Sequence, residues 1–148
     1  MNKLQVDFKL TQSSVILAGA TKGVGLELAK LLIKCGAKVG IIGRTQSDGE
    51  NAVKEIRKEN INSEVIFFKG DLYSDKDRSI IFKSIEGEFS QGINHLVSFL
   101  GSGKTPFGTD VGINIWKEVF DKNFFSVINL VDTFFPLLKK NQDHNSIL

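Results

Sequence analysis

The stretch Ser14-Val-Ile-Leu-Ala-Gly19-Ala-Thr-Lys-Gly23-Val-Gly25 decides the fold. Its opening is a short apolar run bounded by glycine, the pattern of a strand buried on both faces. From Gly23 to Cys35 the pattern turns helical. Leu28, Leu31, Leu32 and Cys35 fall on the predicted inner face, with Lys30 and Lys34 off it, and Gly36 is placed to end the helix. Three glycines at a strand-to-helix turn let backbone approach an anionic group closely. The helix N-terminus behind them offers free N–H groups and a partial positive charge. A bare structural turn is the plainer reading of the same glycines. The position of the turn, after the first strand and at the start of the first helix, favours binding of a pyrophosphate.

Working outward, the same alternation recurs. Lys38–Gly43 and Glu64–Lys69 read as further strands, and His95–Leu100 as a fourth. Between them lie a polar helix from Asp48 to Asn60, with Asp48 placed to cap it and Val53 and Ile56 inward, and a helix from Asp75 to Phe89 carrying Ile80, Ile81, Ile85 and Phe89. A glycine-rich loop runs from Gly101 to Gly112 and leads to a long apolar helix over 113–140. Short apolar strands separated by helices predict an α/β protein with a doubly wound parallel sheet, because parallel neighbours require a crossover. Asn145-Ser-Ile-Leu148 reads as the opening of a fifth strand, cut short, or else as a frayed tail.

Composition bounds the rest. The 148 residues suit one domain, and 41% hydrophobic with 24% charged residues is a globular balance. A net charge of +2 gives no argument for nucleic acid or an anionic membrane surface. The lone Cys35 excludes an internal disulfide framework and a cysteine-based zinc site, and His95 and His144 have no second ligand at a fixed offset, so no metal is expected. Cys35 reads as a small buried hydrophobe. No apolar run approaches a membrane span, and the start MNKLQVDFKL has no signal core, so a cytoplasmic location is expected.

The G-x-x-x-G-x-G spacing differs from the commoner G-x-G-x-x-G fingerprint. It resembles the short-chain dehydrogenase/reductase family, whose loop reads T-G-x-x-x-G-x-G, with Ala18 here in place of the leading Thr. The likeness continues along the chain. Asp71-Leu72 resembles the family's adenine-contacting Asp and its neighbour, and Gly92-Ile-Asn-His-Leu-Val97 resembles its approach to the fourth strand. Trp116 through Asn123 to Pro136 resembles its long interface helix, with Asn123 at the position of the catalytic-site asparagine. The resemblance implies a Rossmann-like, N-terminal cofactor-binding part of an oxidoreductase that moves a hydride to or from a carbonyl or hydroxyl carbon. It implies that Gly19, Thr21, Lys22, Gly23, Val24 and Gly25 surround the dinucleotide's pyrophosphate, that Asp71 and Leu72 flank adenine, that Gly101 lies beside the cofactor, and that Asn123 supports a proton relay.

The end of the second strand addresses which dinucleotide. Gly43 occupies the family's acidic position, Arg44 follows, and Lys22 is a second cation inside the glycine loop. Without a carboxylate for a ribose 2′-hydroxyl, and with Arg44 able to fork onto a 2′-phosphate, NADP(H) is expected over NAD(H). A solvated surface charge is the plainer reading of Arg44.

Two departures stand out. The family's Ser and Tyr-x-x-x-Lys are absent; the single tyrosine, Tyr73, is followed four places on by Asp77 and reads as structural. The family's Asn-Asn-Ala-Gly after the fourth strand becomes Ser98-Phe-Leu-Gly101, which predicts a reshaped ribose and nicotinamide side. Ser98 to Thr105 also comes near a triphosphate loop, but its first glycine is Ser98 and Pro106 follows at once, so Lys104 reads as a loop charge. The long helix is apolar over more than one stripe, which predicts self-association through 113–140. Two functional readings result: an NADP(H)-dependent reductase whose catalytic Tyr and Lys lie outside these residues, or a catalytically inactive nucleotide-binding or dimerising scaffold module.

Overall fold

The computed structural model describes residues 10–102, 111–141 and 144–148. The Gly-Lys-Thr part of the near-triphosphate loop lies outside the described residues. In chain order the elements are β1 (Ser14–Ala18), α1 (Gly23–Lys34), β2 (Lys38–Gly43), α2 (Gln46–Glu59), β3 (Val65–Lys69), α3 (Asp75–Glu88), β4 (His95–Ser98), α4 (Ile113–Phe120), a π-helical segment (Asp121–Phe125), α5 (Ser126–Lys140) and β5 (Ser146–Ile147). The strands form one parallel sheet in the order β3-β2-β1-β4-β5. The order reverses beside β1, so a crevice opens over the C-terminal ends of β1 and β4, where ligands of open α/β sheets bind. No helix among the described residues is long and apolar enough to cross a membrane.

Alternation along the strands builds both faces. Val15 and Leu17 of β1 point into one core with Leu26, Ala29 and Ile33 of α1 and Ile56 of α2. Ile16 and Ala18 point into the other with Ile81 and Ile85 of α3 and Leu130 and Phe134 of α5. Burying side chains of this size contributes roughly 1.5–3 kcal/mol each, so the sandwich needs no staple. β5 is tied to the frame from both sides. Asn145 donates to the Leu138 and Asn141 carbonyls at the end of α5, and Ser146 Oγ lies 2.8 Å from His95 Nδ1.

Several local expectations are corrected. The inner face of α1 is Leu26, Ala29, Leu32 and Ile33, whereas Leu31 is exposed and Cys35 only half-buried. These residues pack with Val15 and Leu17 of β1 and Val39 and Ile41 of β2, which leaves Leu31 outward. On α3, Ile80 is likewise exposed, and Arg78 is buried. α2 begins at Gln46 after Thr45, so Asp48 lies inside its first turn rather than capping it. The predicted helix over 113–140 runs without interruption, as α4, the π-helical segment and α5; the widened π-helical turn is what its pattern did not show. Around the π-helical segment, the Ser126 hydroxyl donates to the Lys122 carbonyl and Asn123 Nδ2 to the Val119 carbonyl, so side chains satisfy groups that a widened turn exposes.

Candidate functional site

The glycine turn is built as backbone sterics demand. Gly19 and Gly23 have φ of 79° and 59°, a region a side chain rarely enters. Gly25 is required for another reason: a Cβ there would lie 2.7 Å from Ala20 Cα and 3.1 Å from the Phe99 ring. The first turn of α1 therefore packs directly on the turn and on the end of β4. The backbone ladder continues past the strand ends, with Gly19 N–H donating to Ile42 O and Phe99 N–H to Ala18 O.

Beside this turn lies a cleft of about 230 Å³ lined by Gly19, Thr21, Gly43, Arg44, Asp71, Leu72, Tyr73, Phe99, Leu100 and Gly101, with Ile42 and Gly70. The fold thus brings Gly19, Thr21, Arg44, Asp71, Leu72 and Gly101 to one place. Gly23 and Val24 sit exposed on the turn, outside the cleft lining, and Gly25 is buried beneath it. A second hollow of about 740 Å³ lies at the opposite end of the sheet, around Ser14, Lys38 and His95. Of the two, only the smaller cleft lies where the strand C-termini and the glycine turn converge, the place where open α/β sheets hold ligands.

The β2 end is electrostatically distinctive. A Cβ on Gly43 would come within 2.5 Å of Thr21 Cγ2, so Thr21 fills the space a carboxylate at 43 would need. Arg44, next along, is exposed and has no ion-pair partner among the described residues. Lys22 is turned the other way: its ammonium is 2.9 Å from Asp48 of α2. The two cations singled out from sequence are therefore not equivalent.

The turn after β3 is clamped by the first turn of α3. Asp71 N–H donates to Asp77 Oδ2, Tyr73 N–H to Asp71 Oδ1, and Asp77 N–H to the capping Ser74 hydroxyl. The buried Arg78 donates to Leu72 O at 2.7 Å and pairs with Asp75. One Asp71 oxygen is thus spent on its own turn, and the other makes no hydrogen bond among the described residues. Sequence reading passed over Asp77 and Arg78. The Ser74-x-x-Asp77 spacing of a helix start was the available signal.

Asn123 does not line the cleft. Its Oδ1 accepts the Ser102 N–H at 2.8 Å, and a Cβ on Gly101 would come within 2.9 Å of the same oxygen. It hooks the chain leaving β4 onto the π-helical segment. Beside it, Lys122 is paired with Glu118, which holds the lysine above its ordinary value and the carboxyl below its own. Outward from this corner, Trp116, Phe120, Phe124, Phe125, Ile128 and Phe135 are all exposed, and no residue of α4 is buried.

Comparisons with known proteins agree with this arrangement. The "Dehydrogenase/reductase SDR family protein 7-like" of Dictyostelium discoideum is 32% identical over 140 residues, covering 90% of this chain and 43% of that protein. The chain spans about half the length of the curated relatives it matches. Among solved structures, L-sorbose reductase from Gluconobacter frateurii, complexed with NADPH and L-sorbose, superposes with a TM-score of 0.80 at 17% identity, over 90% of this chain and 50% of that one. An NADH-dependent reductase complexed with NAD, A1-R′, gives a TM-score of 0.80 at 20% identity, over 94% of this chain and 59% of that one. At those identities the structures speak for the fold. The profile of the short chain dehydrogenase family matches residues 13–147, and with the glycine turn and parallel sheet in place, the chain belongs to that family.

Proposed function

We propose that these residues are the dinucleotide-binding part of a nicotinamide-dependent reductase or dehydrogenase, and that the cofactor is NADP(H) in preference to NAD(H). The observation carrying this reading is the β2 end: Thr21 occupies the space over Gly43, and Arg44 beside it has no ion-pair partner among the described residues. A free ribose 2′-hydroxyl would find no carboxylate there, whereas a 2′-phosphate would find a guanidinium able to fork onto it. The relative complexed with NADPH supports the cofactor class, and the NAD-complexed one shows that the shared fold does not by itself select the phosphate.

In this reading the glycine turn from Gly19 to Gly25 seats the diphosphate on the α1 N-terminus, Asp71 and Leu72 border the adenine, and Gly101 approaches the ribose. Bound nicotinamide would supply or accept a hydride. Asn123 holds the Gly101–Ser102 backbone in place. As no Tyr-x-x-x-Lys occurs in these residues, proton transfer to a substrate oxygen requires groups beyond them.

Fluorescence titration of NADPH and NADH tests the cofactor assignment. NADPH binding at least about tenfold tighter, a difference of roughly 1.4 kcal/mol, with most of that margin lost in Arg44→Ala, is the expected result. Equal or tighter NADH binding overturns it.

A second reading is a nucleotide-binding module that pairs with its own copy through α4 and the π-helical segment. The exposed row Trp116, Phe120 and Phe124 favours it. Sedimentation equilibrium separates the cases: a clean monomer at micromolar concentration removes the dimerising module and leaves the cofactor reading intact.

A further inference from the structure

We infer that the hollow at the N-terminal end of the sheet, remote from the glycine turn, is a separate binding site for a small organic acid, whose carboxylate is received by the side-chain amide of Asn94. The inference goes beyond the cofactor reading and does not depend on it. At about 740 Å³ the hollow is within the size range of small-molecule pockets, and Ser14, Asn94 and His95 line it where β1 and β4 begin. Asn94 is 7% exposed. Its Oδ1 accepts the Ser14 N–H at 2.9 Å, and its own backbone N–H donates to Ser14 O. The Ser14 donor fixes which end of the amide is oxygen, so the other end is Nδ2, a donor. Nδ2 makes no hydrogen bond among the described residues. It is not sealed in either: among the described residues, Ser63 Oγ alone is a sealed side-chain atom without a partner. The open side of this amide is therefore the hollow that Asn94 lines. A nearly buried donor left open on a cavity wall is a group for a ligand to satisfy.

The class of ligand follows from what is already satisfied. Around the hollow, Ser13 O accepts from Lys38 N–H, Phe89 O from Gly92 N–H and Asn94 O from Ser146 N–H. Glu88 O accepts from the Lys38 ammonium at 2.8 Å, and Asn141 O from Asn145 Nδ2. The acceptors are taken and a donor is left, so the ligand must bring an acceptor. His95 adds to the surplus. Its Nδ1 is 2.8 Å from Ser146 Oγ, and when Nδ1 accepts that hydroxyl, Nε2 carries the proton and is a second donor. The charge available is small. The Lys38 ammonium is engaged with Glu88 O and lies 4.7 Å from the centre of the Phe89 ring, and Glu88 itself is on the lining. The carbonyl ends of α3 and α5 also point here, which disfavours a large negative charge. A carboxylate, with one charge spread over two acceptor oxygens, suits this balance better than a phosphate dianion.

The test titrates the full chain with benzoate, with benzamide as its neutral isostere and with inorganic phosphate, at matched ionic strength, and follows the Asn94 side-chain NH2 resonances by NMR. Benzoate is expected to shift them saturably, with a dissociation constant on the order of a millimolar, and benzamide at least about fivefold more weakly. Asn94→Asp keeps the acceptor for Ser14 N–H and replaces the open donor by a carboxylate oxygen. In that variant benzoate affinity, read from the neighbouring Ser14 and His95 resonances, should fall at least about tenfold. If the variant folds poorly, the wild-type comparison of benzoate with benzamide decides alone. Shifts that rise linearly without saturating mean that the amide faces only water, and overturn the site. Equal affinity in Asn94→Asp overturns the role of the amide. Benzamide or phosphate binding as tightly as benzoate overturns the assignment to a carboxylate.

Discussion

Across the cleft, the β1–α1 turn faces the end of β4, which Asn123 of the π-helical segment holds from behind, and the two walls are held in opposite ways. The turn is shaped by what its residues lack. Gly19 and Gly23 supply positive φ, and a Cβ on Gly25 would lie 2.7 Å from Ala20 Cα, so any side chain there would collide with the turn. The β4 wall is shaped by what its residues carry. Phe99 packs under Gly25, Asn123 holds Ser102, and Ser98 Oγ accepts the Leu100 N–H. A wall made of steric absence tolerates almost no substitution, whereas a wall made of side-chain contacts should fail by degrees.

The largest expected effect is therefore at Gly25. Gly25→Val places carbon against the Ala20 backbone and the Phe99 ring, neither of which can swing away as a flexible side-chain end would. We expect a loss of about 3 kcal/mol, at the upper end of overpacking penalties, read as a lower urea midpoint with an unchanged slope, together with loss of nucleotide binding. A stability within about 0.5 kcal/mol of wild type would mean that the turn is softer than its geometry and that the contrast between the walls is false.

The opposite wall should yield less. Asn123→Ala removes the acceptor for Ser102 N–H and the donor to Val119 O, for about 1 kcal/mol. The loss should concentrate locally, as faster amide exchange at Ser102, with nucleotide affinity reduced but present. Asn123→Asp keeps the acceptor and should restore protection of Ser102, which alanine does not. If Asn123→Ala costs as much as Gly25→Val, the two walls are equally rigid.

The same difference explains what could be read from sequence. Glycine at 19, 23 and 25 is a residue-type signature, because only glycine satisfies those backbone conditions, so the turn, its helix and the parallel order of strands follow from pattern alone. The β4 wall has no such signature. A π-helical segment keeps an apolar periodicity close enough to helical that 113–140 reads as one helix, and its effect on Lys122 and Asn123 emerges only after folding. Lys22 and Arg44 look alike in sequence, yet Asp48 engages one of them because α2 begins two residues earlier than its pattern suggests. Leu31 and Ile80 were misplaced for a related reason: a helix stripe is wider than the contact it makes, and the packing of its neighbour selects which flank is covered.

The smallest effect tests whether β4 is soft along its whole length or only at the cleft. His95 begins β4 at the end remote from the cleft, where its Nδ1 meets Ser146 Oγ of β5. Partial burial holds its pKa below the ordinary 6.5, so the folded state favours the neutral ring. The sign follows from proton binding: below that value the unfolded chain takes up a proton at His95 more readily than the folded one. The contribution is fully present above pH 6.5 and is lost as pH falls from there toward the lower folded value. Urea midpoints measured at pH 7.5 and pH 5 should therefore fall more for wild type than for His95→Gln, which can still hydrogen-bond Ser146 without titrating. Relative to the intrinsic exchange rate at each pH, protection of the Leu148 N–H, which donates to Leu96 O, should fall on acidification while that of Ser102 does not, because Ser102 depends on Asn123 rather than on β5. Parallel loss of protection at both amides would mean that β4 transmits the loss from end to end and that its cleft wall is not an independent, locally yielding unit.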